Sequence, residues 1–137
     1  MMKYFLLPAL AILLGACGGS NSVQQINGEA DTVLMDVFKS GDVDKLDKIV
    51  ADDFVNHSRE GQVGLDSLKL SIKGFHLNMK NLKMEVITKM ANDDYVSNWV
   101  RFTGGNPTVL IEGIEVTRYY DGLAKEHWFF PGLQDNR

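Results

Sequence analysis

The sequence is poor in the residues that usually signal metal, cofactor or nucleic-acid binding. Its 137 residues include one cysteine and three histidines, and their spacing is not that of a metal site. It contains no glycine-rich phosphate-binding loop. Acidic residues outnumber basic ones, which gives a formal net charge of −4 at pH 7 and argues against nucleic-acid binding. We therefore predict a protein that uses no cofactor or metal and that does not bind nucleic acid.

Long hydrophobic runs are also missing. The run Phe5–Leu14 has about ten residues, whereas a membrane-spanning helix needs roughly 20. Lys3 precedes this run, and the small residues Gly15 and Ala16 follow it, as in a secretory signal peptide. We expect the chain to be exported and residues 1–16 to be removed.

The segment LLGAC, which ends at Cys17, resembles the cleavage box of bacterial lipoproteins. In such proteins the cysteine becomes the lipidated first residue of the mature chain. The resemblance implies that Cys17 anchors the protein to a lipid membrane of the cell envelope, and Gly18 favours the outer membrane of a Gram-negative cell. A plain signal peptide with an incidental cysteine is the alternative. Residues 17–27 suit a flexible tether because most of them are small or polar.

Two hydrophobic periods divide the rest of the chain. Apolar residues recur at helical spacing in 27–40, and Asp42 and Asp66 can each cap a further helix, so we expect three helices and a short strand. After these the period changes to two, which predicts four strands, at 81–90, 95–103, 109–120 and 123–130. Segregated helices and strands indicate an α+β domain over residues 28–131, followed by a tail at 132–137.

Four segments together carry a resemblance to a known family. They are FKSGDVDKLDKIVADDFVNHS (38–58), GQVGLDSLK (61–69), W-x-R-x-T-G-G (99–105) and GIEVTRYYDGLAKEHW (113–128). Their order and spacing are similar to the SnoaL-like polyketide cyclase family of the nuclear-transport-factor-2-like superfamily. The resemblance implies a conical α+β barrel, with three N-terminal helices against a curved, mainly antiparallel sheet, and a homodimer formed through the open sheet face. Because the family includes both enzymes and binding proteins, function has to be argued from the site.

The resemblance also orients the last strand, since Glu126 and Trp128 usually face the inside of the cone in this family. Alternation of side chains along a strand then gives four inward residues: Ala124, Glu126, Trp128 and Phe130. The opposite face is expected to carry Lys125, His127 and Phe129. The same reasoning on the neighbouring strand turns three residues inward: Trp99, Arg101 and Thr103. Arg101 can then pair with Glu126.

His57 is the candidate base, because its reference pKa of about 6.5 is close to working pH. With Arg101 and Glu126 as its partners it completes the set of candidate catalytic residues. The candidate ligand-binding residues are Asn56, Trp99, Tyr119, Trp128 and Phe130. By register Asn56 is the alternative to His57 as the inward residue. The alternatives in which these residues only stabilise the fold stay open: His57 bonded to buried backbone, Arg101–Glu126 as a structural ion pair, and both tryptophans as core filling.

Phe129 and Phe130 stand where catalytic members of the family often carry an acidic residue. This departure favours the binding of a small hydrophobic molecule over catalysis. A cofactor-independent isomerase, cyclase or dehydratase is the second hypothesis, and a structural dimerisation module is the third.

Overall fold

The computed structural model of the protein describes residues 22–58 and 61–132. The predictions for the signal peptide, for Cys17 and for the tail beyond Gly132 lie outside these residues. Among the described helices, none has the length and hydropathy needed to cross a membrane.

Helix α1 spans Val23–Ser40. The Ser22 side chain accepts a hydrogen bond from the backbone N–H of Gln25 (3.2 Å), and Gly41 ends the helix in the left-handed conformation, with φ 76°. Because α1 begins at Val23, residues 23–27 are helical, and the prediction of a flexible tether through residue 27 is wrong.

Two shorter helices follow α1. Val43–Lys48 forms a 3₁₀ helix, and α2 spans Leu65–Asn78. The second predicted helix is therefore a 3₁₀ helix rather than an α-helix. Two strands, Val50–Ser58 and Gly61–Val63, separate it from α2.

Six strands form one mixed sheet: β1 Val50–Ser58, β2 Gly61–Val63, β3 Lys83–Ala91, β4 Tyr95–Gly104, β5 Val109–Tyr120 and β6 Leu123–Pro131. Their order is β2-β1-β6-β5-β4-β3. Only the β1–β6 pair among them is parallel. The α+β prediction is confirmed. The sheet has two ends, β2 and β3, so its hydrogen-bonded strands do not close into a ring.

One face of the sheet is covered by the helices. Along β4 the side chains therefore alternate between buried and exposed. Val96, Val100 and Phe102 are buried, whereas Trp99 is 46% exposed. The inward residues of β4 join a core that includes Leu34 of α1, and similar residues of the other helices complete it. The covered face is called the inner face below, and the opposite one the outer face.

A β-bulge sets the phase of β6. Ala124 pairs with Tyr119 of β5, but Glu126 pairs with the next residue, Arg118, so Lys125 is an extra residue without its own partner. A bulge shifts the alternation by one position. Ala124 therefore faces inward before the bulge, and His127 faces inward after it. Both side chains are buried, in agreement with this orientation.

A sealed polar cluster attaches α1 to the inner face. Asp31, which is fully buried, accepts hydrogen bonds from Asn98 Nδ2 (2.9 Å) and from the Tyr119 hydroxyl (3.2 Å). Lys89 Nζ lies 3.0 Å from the same carboxylate. Burial raises the pKa of Tyr119 well above 10.0, and the nearby Asp31 charge raises it further. This cluster therefore links α1 to β3, β4 and β5.

We predict that Asp31→Ala lowers the free energy of unfolding by about 3–5 kcal/mol, because it leaves Lys89, Asn98 and Tyr119 without their shared partner. Urea denaturation measures this loss. The matched control is Asp36→Ala, which removes an exposed carboxylate of the same helix that pairs with Lys45 at 2.8 Å and is expected to leave the midpoint almost unchanged. Equal midpoints for the two variants would contradict the structural role of the cluster.

Candidate functional site

A cavity of about 340 Å³ lies between α2 and the inner face of the sheet. Most of its wall is apolar: Phe38, Leu68, Ile72, Phe75, Phe102, Ile111 and Phe129. Five polar residues complete it: Asn56, His57, Ser71, Glu115 and His127. Ser71 of α2 is exposed, so the cavity reaches the surface beside this helix. Its volume falls within the range of small-molecule sites.

Three of these polar side chains form a buried hydrogen-bonded row on adjacent strands. Asn56 of β1 and His127 of β6 are partners in the parallel register, and His127 Nδ1 lies 2.7 Å from Asn56 Oδ1. His127 Nε2 bonds to Glu115 Oε2 of β5. Both His127 and Glu115 are 3% exposed. The Phe38 ring lies 5.5 Å from the imidazole and covers it. We call Asn56, His127 and Glu115 the cavity triad.

The hydrogen bonds of the triad fix where its protons lie. Asn56 Oδ1 is an acceptor, so His127 Nδ1 must carry a hydrogen. A second proton is then shared between His127 Nε2 and Glu115 Oε2. Whichever atom holds it, the His127–Glu115 pair has no net charge. A carboxyl and an imidazole that share a proton at the wall of an apolar cavity are suited to acid–base chemistry on a bound molecule.

The structure separates His57 from this row. His57 pairs with Trp128 in the register, and the two rings stack with 4.5 Å between centroids and 1° between planes. His57 Nε2 lies 2.8 Å from Glu126 Oε2, and the guanidinium of Arg118 holds the other carboxylate oxygen at 2.5 Å. These three partners lie on the outer face. His57 borders the cavity, but its ring points away from the cavity triad, so Asn56, the alternative by register, is the inward residue.

The predicted inward orientation of Glu126, Trp128 and Phe130 is therefore wrong, and so is the outward orientation of His127 and Phe129. The bulge at Lys125 is the reason. His57 and Glu126 are nevertheless hydrogen-bonded to each other, although on the outer face.

The predicted orientation of Trp99 and Arg101 is also wrong. Arg101 Nε lies 2.5 Å from Glu112 Oε1 and its Nη1 lies 3.4 Å from Glu85 Oε2, so it pairs with its strand neighbours on the outer face and not with Glu126. Neither Trp99 nor Trp128 lines the cavity. Tyr119 faces inward, but its hydroxyl bonds to Asp31 in the sealed cluster, away from the cavity lining.

Sequence reasoning missed Glu115 and His127 as site residues. A signal for the orientation of β4 was present, because Val96, Val100 and Phe102 form a more apolar alternate set than Trp99, Arg101 and Thr103. The bulge in β6 had no comparable signal. No group of three acidic, histidine or cysteine side chains able to hold a metal occurs among residues 22–58 and 61–132.

Comparison with known proteins agrees with this architecture. A family model described as "SnoaL-like domain" matches residues 32–127. The chain therefore belongs to the SnoaL-like family, as the sequence resemblance implied. No curated protein matches the sequence.

Solved structures with the same fold come from several bacteria. A candidate polyketide cyclase from Bacillus cereus superposes with a TM-score of 0.71 at 20% identity, covering 78% of this chain and 74% of its own. A candidate SnoaL-like polyketide cyclase from Jannaschia gives 0.70 at 18% identity, with 83% and 91% covered. AclR, a candidate hydroxylase from Streptomyces galilaeus, gives 0.67 at 20% identity, with 79% and 81% covered. At these identities the likeness establishes the fold only.

The ion pairs on the outer face generate a prediction about pH. The hydrogen bond to His57 and the contact with Arg118 hold the pKa of Glu126 below its ordinary value of 4.5. Because the folded-state pKa is depressed, this interaction stabilises the fold fully above about pH 4.5 and is lost as pH falls through the folded pKa.

We therefore expect wild type to lose more stability than Glu126→Gln between roughly pH 5 and pH 3, as measured by urea midpoints. Asp52→Asn, which alters an exposed carboxylate on β1, is the matched control and should follow wild type. An equal loss for Glu126→Gln and wild type would show that the His57–Glu126–Arg118 contacts do not stabilise the fold in solution.

Proposed function

We propose that the protein binds a small, mainly apolar molecule in the cavity, with a polar group of that molecule directed at the cavity triad. The composition of the cavity wall supports this proposal, because aromatic and aliphatic side chains surround one buried row of polar groups. Sites of this kind bind ligands through apolar area and orient them through a few polar contacts. In this proposal the curved sheet and its helices form the cone that the family resemblance implies.

Binding can be tested by thermal shift with a set of small aromatic and acyl-chain ketones. At least one of them should raise the melting temperature of wild type, because a ligand that binds only the folded state stabilises it. Ser71→Trp places a large side chain at the cavity opening and should abolish the shift. Ser67→Trp, on an exposed position of the same helix that is not part of the wall, should retain it. If no ketone shifts wild type, the binding proposal fails.

A second candidate function is cofactor-independent proton transfer, such as isomerisation, cyclisation or dehydration. The specific observation that favours it is the buried His127–Glu115 pair at the cavity wall. In the imidazolium–carboxylate form, Glu115 can accept a proton from the carbon beside a ligand carbonyl, while Asn56 can donate a hydrogen bond to the carbonyl oxygen as it gains charge. The proton then returns to carbon or oxygen of the same molecule.

Proton transfer can be followed as exchange of the α-hydrogens of 4-phenylbutan-2-one in D₂O by NMR. If Glu115 is the base, Glu115→Gln should lower the enzymatic rate by about a hundred- to ten-thousand-fold. Comparison with His57→Leu decides between the base inferred from the structure and the base predicted from the sequence. A rate that falls only in His57→Leu would assign the chemistry to the outer face and contradict this proposal.

The cellular setting is also a proposal. We propose that lipid on Cys17 anchors the domain in the cell envelope. The LLGAC segment at residues 13–17 supports this proposal. We propose too that the protein is a homodimer. Support for the dimer comes from exposed apolar residues on the outer face, Trp99, Ile114 and Phe130, since contiguous apolar surface of this kind commonly marks an interaction site.

A further inference from the structure

The ligand-facing atoms of the cavity triad define a more specific recognition chemistry, which rests on the proposed binding function. His127 uses Asn56 Oδ1 and Glu115 Oε2. Asn56 Nδ2 and Glu115 Oε1 have no hydrogen-bond partner among the described residues, and neither belongs to the sealed, unpartnered atoms of the fold, which are Asn98 Oδ1 and Thr117 Oγ1. Because both residues line the cavity, these two atoms are open to it.

The two open atoms differ in hydrogen-bonding character. Asn56 Nδ2 can only donate, and Glu115 Oε1 can only accept, because the second proton of the triad lies between His127 Nε2 and Glu115 Oε2. The His127 ring bridges the other atoms of the same two side chains, so the open donor and the open acceptor lie on either side of one imidazole. A ligand satisfies both when it carries an acceptor and a donor side by side, as a primary amide or a hydroxyketone does.

Charge restricts the ligand further. The His127–Glu115 pair has no net charge, and among the described residues of the wall there is no lysine, no arginine and no other carboxylate, while the His57 ring bonds to Glu126 on the outer face. Arg101 and Arg118, the arginines of the described strands, pair with carboxylates on that outer face. The described part of the wall therefore offers an anionic ligand no counter-charge, and burial of an unpaired charge costs much more free energy than burial of a neutral polar group.

We propose that the cavity selects neutral molecules that present a carbonyl acceptor next to an N–H or O–H donor, and that it discriminates against carboxylates of the same shape. Asn56 and Glu115 are the specificity-determining residues. His127 positions both of them, and the aromatic wall holds the apolar part of the ligand.

Three probes with one phenethyl group test this selectivity: 3-phenylpropanamide, 4-phenylbutan-2-one and 3-phenylpropanoate. Calorimetric titration at pH 7.5 should give the amide an affinity about tenfold higher than the ketone, because a hydrogen bond to a charged buried acceptor adds roughly that factor. The carboxylate should bind more weakly than the ketone.

Glu115→Met provides the decisive variant, since it removes the open acceptor while keeping a side chain of similar length. It should remove the advantage of 3-phenylpropanamide over the ketone and strengthen binding of 3-phenylpropanoate relative to wild type, because no carboxylate then lies beside the anion. Glu112→Met makes the same substitution on the same strand but on the outer face, where Glu112 pairs with Arg101, and should keep the wild-type order of the three probes. Circular dichroism checks that both variants are folded.

The outcomes separate this inference from the proposed function. If the ketone binds and the amide binds no better, or if 3-phenylpropanoate binds most tightly to wild type, the selectivity inference is overturned while the binding function stands. If none of the three probes binds while another ketone of the thermal-shift set does, only the selectivity inference is overturned, and if no ketone of that set binds either, both are overturned. An amide advantage that persists in Glu115→Met would also overturn the assignment of Glu115 as the acceptor.

Discussion

The chemistry of the cavity depends on one extra residue in β6. Lys125 has no partner of its own in β5, so the strand changes phase between Ala124 and Glu126. Without that bulge a carboxylate and an indole, Glu126 and Trp128, would face the cavity. With it, His127 and Phe129 do, and His127 meets both Asn56 and Glu115. Since a one-residue change of phase moves every later side chain to the other face, the bulge decides which of two possible sets of side chains meets a ligand.

The sequence predicted the positions of the strands better than it predicted which side chains of each strand face inward. The change of period to two located the four long strands, because this signal is local. Which alternate set faces inward depends on neighbouring strands and on bulges, which are not local. For Trp99 and Arg101 the error came from an expected Arg101–Glu126 pair, whereas Glu112 and Glu85 are the actual partners. Apolar content along β4 was the better guide, and on β5 it would have failed, since Glu115 and Thr117 face inward there.

Two polar groups on the inner face differ in what surrounds them. The Asp31 cluster is sealed beneath α1, where a carboxylate meets an ammonium group and two neutral donors. Its charges are compensated within the protein, and its effect is to hold α1 on the sheet. The cavity triad lies nearby, because Glu115 is the cross-strand partner of Asn98. It differs in that its leftover donor and acceptor belong to residues of the cavity wall, whereas the leftover acceptor of the Asp31 cluster, Asn98 Oδ1, is sealed inside the protein.

This difference bears on whether the protein only binds a ligand or also acts on it chemically. A buried ionisable pair is commonly less favourable than apolar side chains of similar volume, so His127 and Glu115 are costly if the cavity merely has to be filled or to hold an apolar molecule. The replacement of an acidic residue by Phe129 and Phe130 after Trp128 argued against acid–base chemistry when the chain was considered in linear order. In three dimensions β5 supplies a carboxylate, Glu115, to the same wall. An acid absent from one strand can thus be present in the site through the neighbouring strand, so Phe129 and Phe130 do not exclude acid–base catalysis.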